Sequence, residues 1–384
     1  MDYENLHKQY KLYSIQGRYL NLEMLTHFLD SRIDKSQWKI MGRSVQDRPI
    51  YQCEIGWGET KILIWSQMHG NESTTTKGLL DFLNMLQDDS AVAKNILNAY
   101  SFLIIPILNP DGAEVYTRVN ANEIDLNRDF QDLSQPESRL LMQCFKAFKP
   151  DYCYNLHDQR SIFGVGATGK PATISFLAPS FNEEKEYNES RLQSVALILK
   201  MVKVLTGFIP GQIGRFDDSF NINCVGDTFQ SLQTPTILIE AGHFPEDYER
   251  EKTRKFVFIA LLSAFQSPDE NDVVVDLLKD YLQIPQNIPN FFDFVYKNVG
   301  FNYEDSKLIT NFAVQFREQL VDNKIHFNGF IAKVGNLEDY FGHVECDFKE
   351  GVYTDGADDF PKLDTKAHFS INKNVKFVNG LVKK

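Results

Sequence analysis

The sequence predicts an α/β protein with a largely parallel β-sheet covered by helices, followed by a smaller C-terminal region. Two observations predict this fold class. Over the first two-thirds of the chain, short apolar runs alternate with longer amphipathic segments, as parallel strands joined by helices require. After Phe265 this alternation stops, and three prolines, Pro268, Pro285 and Pro289, mark a connecting region.

The individual elements follow from the period of the apolar residues. Strands are predicted at 61–65, 100–108, 151–156, 174–178 and 236–240. Helices are predicted at 74–87, 190–206 and 248–265. In the C-terminal region, helical patterns at 273–282 and 305–321, with short alternating runs at 366–371 and 375–378, predict a small α+β appendage.

Composition and charge narrow the function classes. The 384 residues are 43% hydrophobic, which is typical of a globular protein with a sizeable core. The 40 Lys and Arg against 52 Asp and Glu give a net charge of −12, which disfavours a general nucleic-acid binder. No signal sequence follows Met1, no apolar run reaches the roughly 20 residues that span a bilayer, and the five cysteines are scattered. We therefore expect a cytoplasmic protein without a membrane partner.

Polar residues stand where four predicted strands end. His69 and Glu72 follow the strand at 61–65, and the segment 109–112 (NPDG) follows the strand at 100–108. His157 follows the third strand, and Glu240 closes the strand at 236–240. Because ligands bind beyond the carboxyl ends of strands in open α/β sheets, separate strands can deliver these side chains to one place.

Two histidines and a glutamate, with a position left for water, are the ligands of a catalytic zinc site. The spacing His69-x-x-Glu72 alone is weak evidence, but its place in a turn between a strand and a helix strengthens it. His157, 88 residues later, would complete the set. The alternative for His157 is a core histidine that hydrogen-bonds to backbone.

Glu240 is a second chemical signal. A carboxylate that closes an apolar strand is costly to bury unless it is paired or functional. Beside a metal it is placed to accept a proton from water. Arg118 and Arg128, in the segment between the second and third strands, can pair with a carboxylate or stabilise an oxyanion, or they can be ordinary surface residues.

Together these residues resemble a known family. The chain is similar to zinc carboxypeptidases of the M14 type over roughly residues 45–265, and the combination of motifs is more specific than any one of them. The motifs, in the family's order, are HGNE at 69–72, NPDG at 109–112, DLNR at 125–128, the strand-terminal His157 and IEAG at 239–242.

The resemblance implies a three-layer α/β/α fold with a mixed sheet, a catalytic domain at 1–268 and an appendage of unknown role at 290–384. It implies one Zn²⁺ ion bound by His69, Glu72 and His157. Glu240 would act as the general base and later as the proton donor.

The resemblance also implies substrate contacts. Asn127 and Arg128 would hold the C-terminal carboxylate of a peptide, and Arg118 would polarise the scissile carbonyl. Asp125 would orient His69 by accepting its ring N–H. The family's substrate-contacting tyrosine has no counterpart between Tyr187 and Glu240.

Several alternatives stay open at this stage. An aspartoacylase-like or succinylglutamate-desuccinylase-like amidohydrolase, acting on N-acyl amino acids, shares HGNE and DLNR. A non-catalytic zinc- or peptide-binding module is a third possibility. Asp217, Asp218 and Asp227 either favour a basic substrate side chain or are exposed loop residues. The oligomeric state is not predicted.

Overall fold

The computed structural model of the chain describes residues 1–32, 37–266, 276–303 and 306–383. These residues form two compact units, and the chain passes between them more than once. Unit 1 comprises Met1–Gln159 and Ala172–Asn287, and unit 2 comprises Arg160–Pro171 and Ile288–Lys384. No helix among the described residues has the length and apolar character needed to cross a bilayer.

Unit 1 contains the predicted sheet. Its eight strands are β1 (Trp38–Arg43), β2 (Pro49–Ile55), β3 (Thr60–Ser66), β4 (Tyr100–Ile105), β5 (Tyr152–Asp158), β7 (Ile174–Leu177), β8 (Ile213–Arg215) and β9 (Thr236–Ala241). Their spatial order is β1-β2-β4-β3-β5-β9-β7-β8. The four central strands β4, β3, β5 and β9 are parallel, whereas β1, β2 and β7 each pair antiparallel with a neighbour. The predicted mixed, largely parallel sheet is therefore confirmed.

Helices cover this sheet on both sides and complete the three layers. The helices of unit 1 are α1 (Tyr3–Tyr10), α2 (Leu22–Arg32), α3 (Thr74–Leu86), α4 (Ala91–Ala99), α5 (Pro110–Val115), α6 (Pro136–Phe148), α7 (Glu189–Leu205), α8 (Val225–Ser231), α9 (Glu251–Ala264) and α10 (Leu277–Leu282). One apolar core holds residues of α3, α7 and α9, and a second core on the opposite face holds residues of α6 and α8. The part of the predicted helix at 273–282 before residue 276 lies outside the described residues, as does the predicted domain end at 268.

Unit 2 is built from strands. Two strands lie at its entry points, β6 (Phe163–Val165) and β10 (Asn287–Pro289), and they pair with each other. One four-stranded sheet consists of β11 (Phe291–Tyr303), β12 (Ser306–Val321), β13 (Lys324–Gly335) and β14 (Phe341–Asp347). A second consists of β15 (Tyr353–Thr354), β16 (Phe369–Ile371), β17 (Val375–Val378) and β18 (Leu381–Val382). An aromatic-rich core joins the two sheets.

The predicted helix at 305–321 is wrong, and the appendage is β rather than α+β. Leu308, Phe312, Phe316 and Leu320 recur every four residues, which suggests a helix. Because four is a multiple of the strand period of two, the same residues also share one face of a strand. Phe312 and Val314 are fully buried in β12, so packing in the sheet decides between the two structures.

Candidate metal centre

Three segments of the candidate site meet at the carboxyl ends of adjacent central strands. β3 leads into the loop that carries His69 and Glu72, and β5, its parallel neighbour, carries His157. β9 is the next strand, and its Glu240 lies in register with His157. Residues in register on neighbouring strands point to the same face of the sheet. The fold thus brings together the four residues that the sequence placed at strand ends.

Two imidazoles and one carboxylate converge on a single point. The Nδ1 atoms of His69 and His157 lie 2.8 Å from Oε1 and Oε2 of Glu72, respectively, and 3.1 Å from each other. The backbone N–H of Asp158 also donates to Glu72 Oε2, at 3.1 Å. His69, Glu72 and His157 are buried, and their ligand atoms all lie within 4.8 Å of one another.

Burial and mutual attraction determine the charges in this cluster. Burial alone would raise the pKa of Glu72, but the two imidazoles outweigh it and hold this pKa well below its usual range. Burial would lower the pKa of His69, but Glu72 and Asp125 outweigh it and raise this pKa. Burial lowers the pKa of His157, and this effect is larger than the opposing effect of the Glu72 carboxylate.

The donor set fits a divalent cation. Nε2 of His69 lies 3.0 Å from Asp125 Oδ1, which assigns the ring proton to Nε2 and leaves the Nδ1 lone pair directed at Glu72. A lone pair and a carboxylate oxygen 2.8 Å apart repel each other unless a proton or a cation lies between them. Two imidazole nitrogens and one carboxylate are the protein ligands of catalytic zinc sites, so one Zn²⁺ ion would satisfy all three residues together.

Asp125 and Arg118 adjoin the ligands, as the sequence analysis predicts for Asp125. Arg118 donates from Nε to Asp125 Oδ2 at 3.0 Å and from Nη1 to Glu72 Oε1 at 3.2 Å. Its side chain is 47% exposed, so the guanidinium lies at the rim of the cluster and is accessible from solvent. Burial would raise the pKa of Asp125, but His69 and the neighbouring arginines lower it overall. Arg118 is therefore a partly exposed residue that bonds to both Glu72 and Asp125.

Glu240 is buried without a protein partner for one of its oxygens. Oε2 has no hydrogen bond from any described residue, although Glu240 is only 8% exposed. Burial raises its pKa well above the usual range, and the charges of Glu72 and Asp158 add to this effect. A buried, unpartnered carboxylate oxygen next to a ligand histidine is the group expected of a base that acts on water at the metal. A cation at the cluster would favour its ionised form.

The backbone N–H groups of Asn127 and Arg128 both donate to Asp125, which adjoins the metal ligands. The N–H of Asn127 donates to Asp125 Oδ1 at 2.9 Å, the oxygen that also faces His69. Oδ1 of Asn127 accepts from the N–H of Val225 at 3.0 Å, so its amide N–H₂ is the group that can donate to a substrate. Arg128 is exposed and donates to Cys224 Sγ at 3.1 Å.

The loop aspartates do not share one environment. Asp217 is exposed, as the surface explanation predicts. Arg191 donates a hydrogen bond to Asp218 at 3.1 Å. Burial would raise the pKa of Asp218, but the charge and hydrogen bond of Arg191 lower it overall. Asp227 is buried and accepts from the N–H of Asn221 at 2.7 Å, and burial raises its pKa to about 7. The structure therefore gives Asp218 and Asp227 local bonding partners.

Asp158 follows His157 directly and has a structural role that the sequence does not predict. Its carboxylate accepts from the backbone N–H groups of Thr74 and Thr75, at 2.8 and 3.0 Å, and so caps α3. Ser73, at the N-cap position of α3, makes no side-chain cap. Asp158 thereby joins the strand that carries His157 to the helix that follows Glu72. No local pattern reveals such a cap, because donor and acceptor are more than 80 residues apart.

We expect Asp158→Asn to lower the free energy of unfolding by about 1–2 kcal/mol, because an amide loses one of two cap acceptors at a buried helix terminus. Urea unfolding measures the change. Asp217→Asn, at an exposed loop position, is the control and should unfold like the wild type. Equal stability of Asp158→Asn and wild type would show that this cap contributes nothing.

Comparisons with known proteins agree with the resemblance that the motifs suggest. Residues 23–161 match the family model described as zinc carboxypeptidase. A segment of 113 residues is 30% identical to a probable carboxypeptidase 2 of Arthroderma benhamiae and covers 29% of this chain and 21% of that protein. A segment of 143 residues is 29% identical to carboxypeptidase D of Mus musculus, covering 30% of this chain and 10% of that protein. The chain thus covers only 21% and 10% of the lengths of these two relatives.

Solved structures share the fold. A metallo-carboxypeptidase from Burkholderia cenocepacia aligns with a TM-score of 0.52 and 18% identity, over 64% of this chain and 69% of that one. A metallo-carboxypeptidase from Pseudomonas aeruginosa aligns with a TM-score of 0.52 and 17% identity, over 69% of this chain and 70% of that one. The family match includes His69, Glu72 and His157 but ends before Glu240, whose position rests on the structure. Residues 23–161, which carry His69, Glu72 and His157, are thus similar to the zinc carboxypeptidase family.

Proposed function

We propose that this chain is a zinc-dependent carboxypeptidase that hydrolyses the C-terminal peptide bond of a peptide. The observation that carries the proposal is the buried cluster of His69, Glu72 and His157 with Glu240 in register beside it. The names of the relatives, all carboxypeptidases among those given above, support a peptide rather than an N-acyl amino acid as the substrate.

Each side chain has a distinct part in this proposal. A bound zinc ion supplies Lewis acidity towards water and towards the carbonyl oxygen of the substrate. Glu240 accepts a proton from the attacking water and returns it to the leaving amine, for which its unpartnered Oε2 is available. Arg118, charged and accessible at the rim, donates to the oxyanion that develops on the carbonyl.

In this proposal, Asn127 and Arg128 bind the C-terminal carboxylate of the peptide substrate. The guanidinium of Arg128 is exposed and can pair with a carboxylate, and the N–H₂ group of Asn127 adds a neutral donor beside it. Both residues follow Asp125 in sequence, and Asp125 faces His69. The substrate carboxylate would therefore be bound a short distance from the scissile bond.

A pair of peptides tests the proposal, one with a free C-terminus and one with the same sequence amidated. We expect amidation to lower kcat/KM about 10- to 100-fold, because a hydrogen bond to a charged group contributes roughly 1.5–3 kcal/mol. Mass spectrometry of the products measures both rates. Arg128→Ala should lose most of this discrimination, whereas Arg139→Ala, at an exposed position on α6, should keep it. A wild type that cleaves both peptides equally, or that cleaves only N-acyl amino acids, contradicts the proposed substrate class.

A further inference from the structure

Helix α3 carries a row of polar side chains that is covered by protein rather than by water. Ser73, at the N-cap position, is followed by Lys77, Asp81 and Asn84, spaced four, four and three residues apart on one face. Such a stripe ordinarily marks the solvent face of a helix. Here Lys77 and Asp81 are fully buried and Ser73 is 1% exposed. The segment from His7 to Leu20, which we name the N-terminal strap, covers the stripe.

The strap runs antiparallel to α3 and is bound along its length. At the far end, Asn84 Nδ2 donates to the carbonyl of Tyr10 at 2.7 Å, and Asp81 Oδ1 accepts from the N–H of Leu12 at 2.8 Å. Arg254 pairs with both oxygens of Asp81, at 2.6 and 2.7 Å, and also donates to the carbonyls of Leu12 and Ile15. These bonds anchor the strap at the end of the stripe that lies away from the metal-binding loop.

At the near end, three side chains donate to carbonyls of the strap. Lys77 Nζ donates to Gly17, Ser73 Oγ donates to Arg18, and Gln67 Nε2 donates to Leu20 at 2.8 Å. Burial lowers the pKa of Lys77 to about 8, although Glu251 opposes this effect. Below that pH the ammonium is charged and bonded to the strap.

Two of these contacts bracket the metal-binding loop. His69 and Glu72 lie between Gln67 and Ser73, so both ends of this loop are fixed to the strap. Gln67 has a positive φ of 48°, an uncommon conformation for a non-glycine residue, and its Nε2 also donates to the carbonyl of Gly70 at 2.9 Å. The hydroxyl of Ser73 is directed to the strap while Asp158 caps the helix in its place.

We propose that the N-terminal strap positions the metal centre, and that Gln67 and Ser73 are the positioning residues through which it acts. Through the carbonyls of Leu20 and Arg18, the strap holds the loop so that His69 and Glu72 face His157. A metal site requires its ligands to be held to within about 0.5 Å, and residues that support ligands from outside typically change metal affinity 10- to 100-fold. The inference rests on the metal centre of the proposed function, but not on the peptide substrate.

The test compares one strap bond at the metal loop with one at the far end. Ser73→Ala removes the bond to Arg18, and Asn84→Ala removes the bond to Tyr10. Zinc affinity is measured by competition with a chromogenic chelator, and folding is checked by circular dichroism and urea unfolding. We expect Ser73→Ala to weaken zinc binding about 10-fold. Asn84→Ala should destabilise the fold about as much as Ser73→Ala does, but it should leave the zinc affinity unchanged.

Cobalt(II) substitution provides a readout that general stability does not affect. The visible absorption bands of the cobalt form should shift in Ser73→Ala and stay unchanged in Asn84→Ala, because only the first variant alters ligand geometry. Unchanged zinc affinity in Ser73→Ala, or equal weakening in both variants, overturns the role of the strap while leaving the metal centre intact. Failure of the wild type to bind zinc would instead overturn the metal centre and this inference with it.

Discussion

Replacing Glu240 with Gln is expected to lower kcat about 10²- to 10⁴-fold while the protein keeps its zinc, because general acid–base catalysis typically contributes this much. Gln has nearly the same shape as Glu but cannot accept a proton from water. Glu240 is not among the three residues of the metal group, so the ligand set is complete in this variant. Its unpartnered Oε2 loses no protein hydrogen bond among the described residues.

Steady-state kinetics with a peptide substrate and metal analysis of the same sample measure this prediction. Glu183→Gln, at an exposed position, is the control and should keep wild-type activity. Unchanged kcat in Glu240→Gln would favour a zinc- or peptide-binding module, or a different base. Loss of zinc together with activity would show that Glu240 acts as a ligand rather than as a base.

Removing the metal is expected to abolish turnover. Treatment with a chelator should reduce activity to background, and stoichiometric zinc should restore it. His157→Ala should lower the zinc content from about one ion per chain towards none, because it removes one of three protein ligands and leaves an incomplete site. Neither Glu72 nor His69 can replace the missing imidazole, since each already faces the same point.

His27 offers a matched control for this experiment. Its side chain is 77% exposed, and its ion-pair partner is Glu23 on the same helix. His27→Ala should retain full zinc content and activity. Activity that survives chelation, or a His157→Ala variant that keeps its zinc, contradicts the assignment of the metal centre.

Much of unit 1 and of its site could be predicted from the sequence because the relevant signals are local. An apolar run such as 61–65 identifies a buried strand, and polar residues at its carboxyl end or in the loop that follows show where the strand ends. His69 and Glu72 lie in the loop after β3, and His157 and Glu240 lie near the ends of β5 and β9, so their convergence follows once these strands are parallel. The position of Arg118 was less evident, because its contacts with Glu72 and Asp125 depend on the conformation of a loop.

Unit 2 shows the limit of such signals. The spacing at 305–321 is compatible with both a helix and a strand, and only burial of Phe312 and Val314 in a sheet core selects the strand. The local sequence also does not predict that residues 160–171 belong to unit 2, because this depends on the pairing of β6 with β10, more than 100 residues away.

The amino-acid sequence by itself determined the fold class, the strand ends and the set of residues available to bind zinc, since each is encoded by neighbours a few positions apart. Only the tertiary structure decided that Asp158 caps α3 and that Ser73, Lys77 and Asp81 are buried beneath the strap. A polar side chain has the same local signature whether it meets water or a distant carbonyl. Its environment depends on which distant segments pack against it, and this packing is determined only when the whole chain folds.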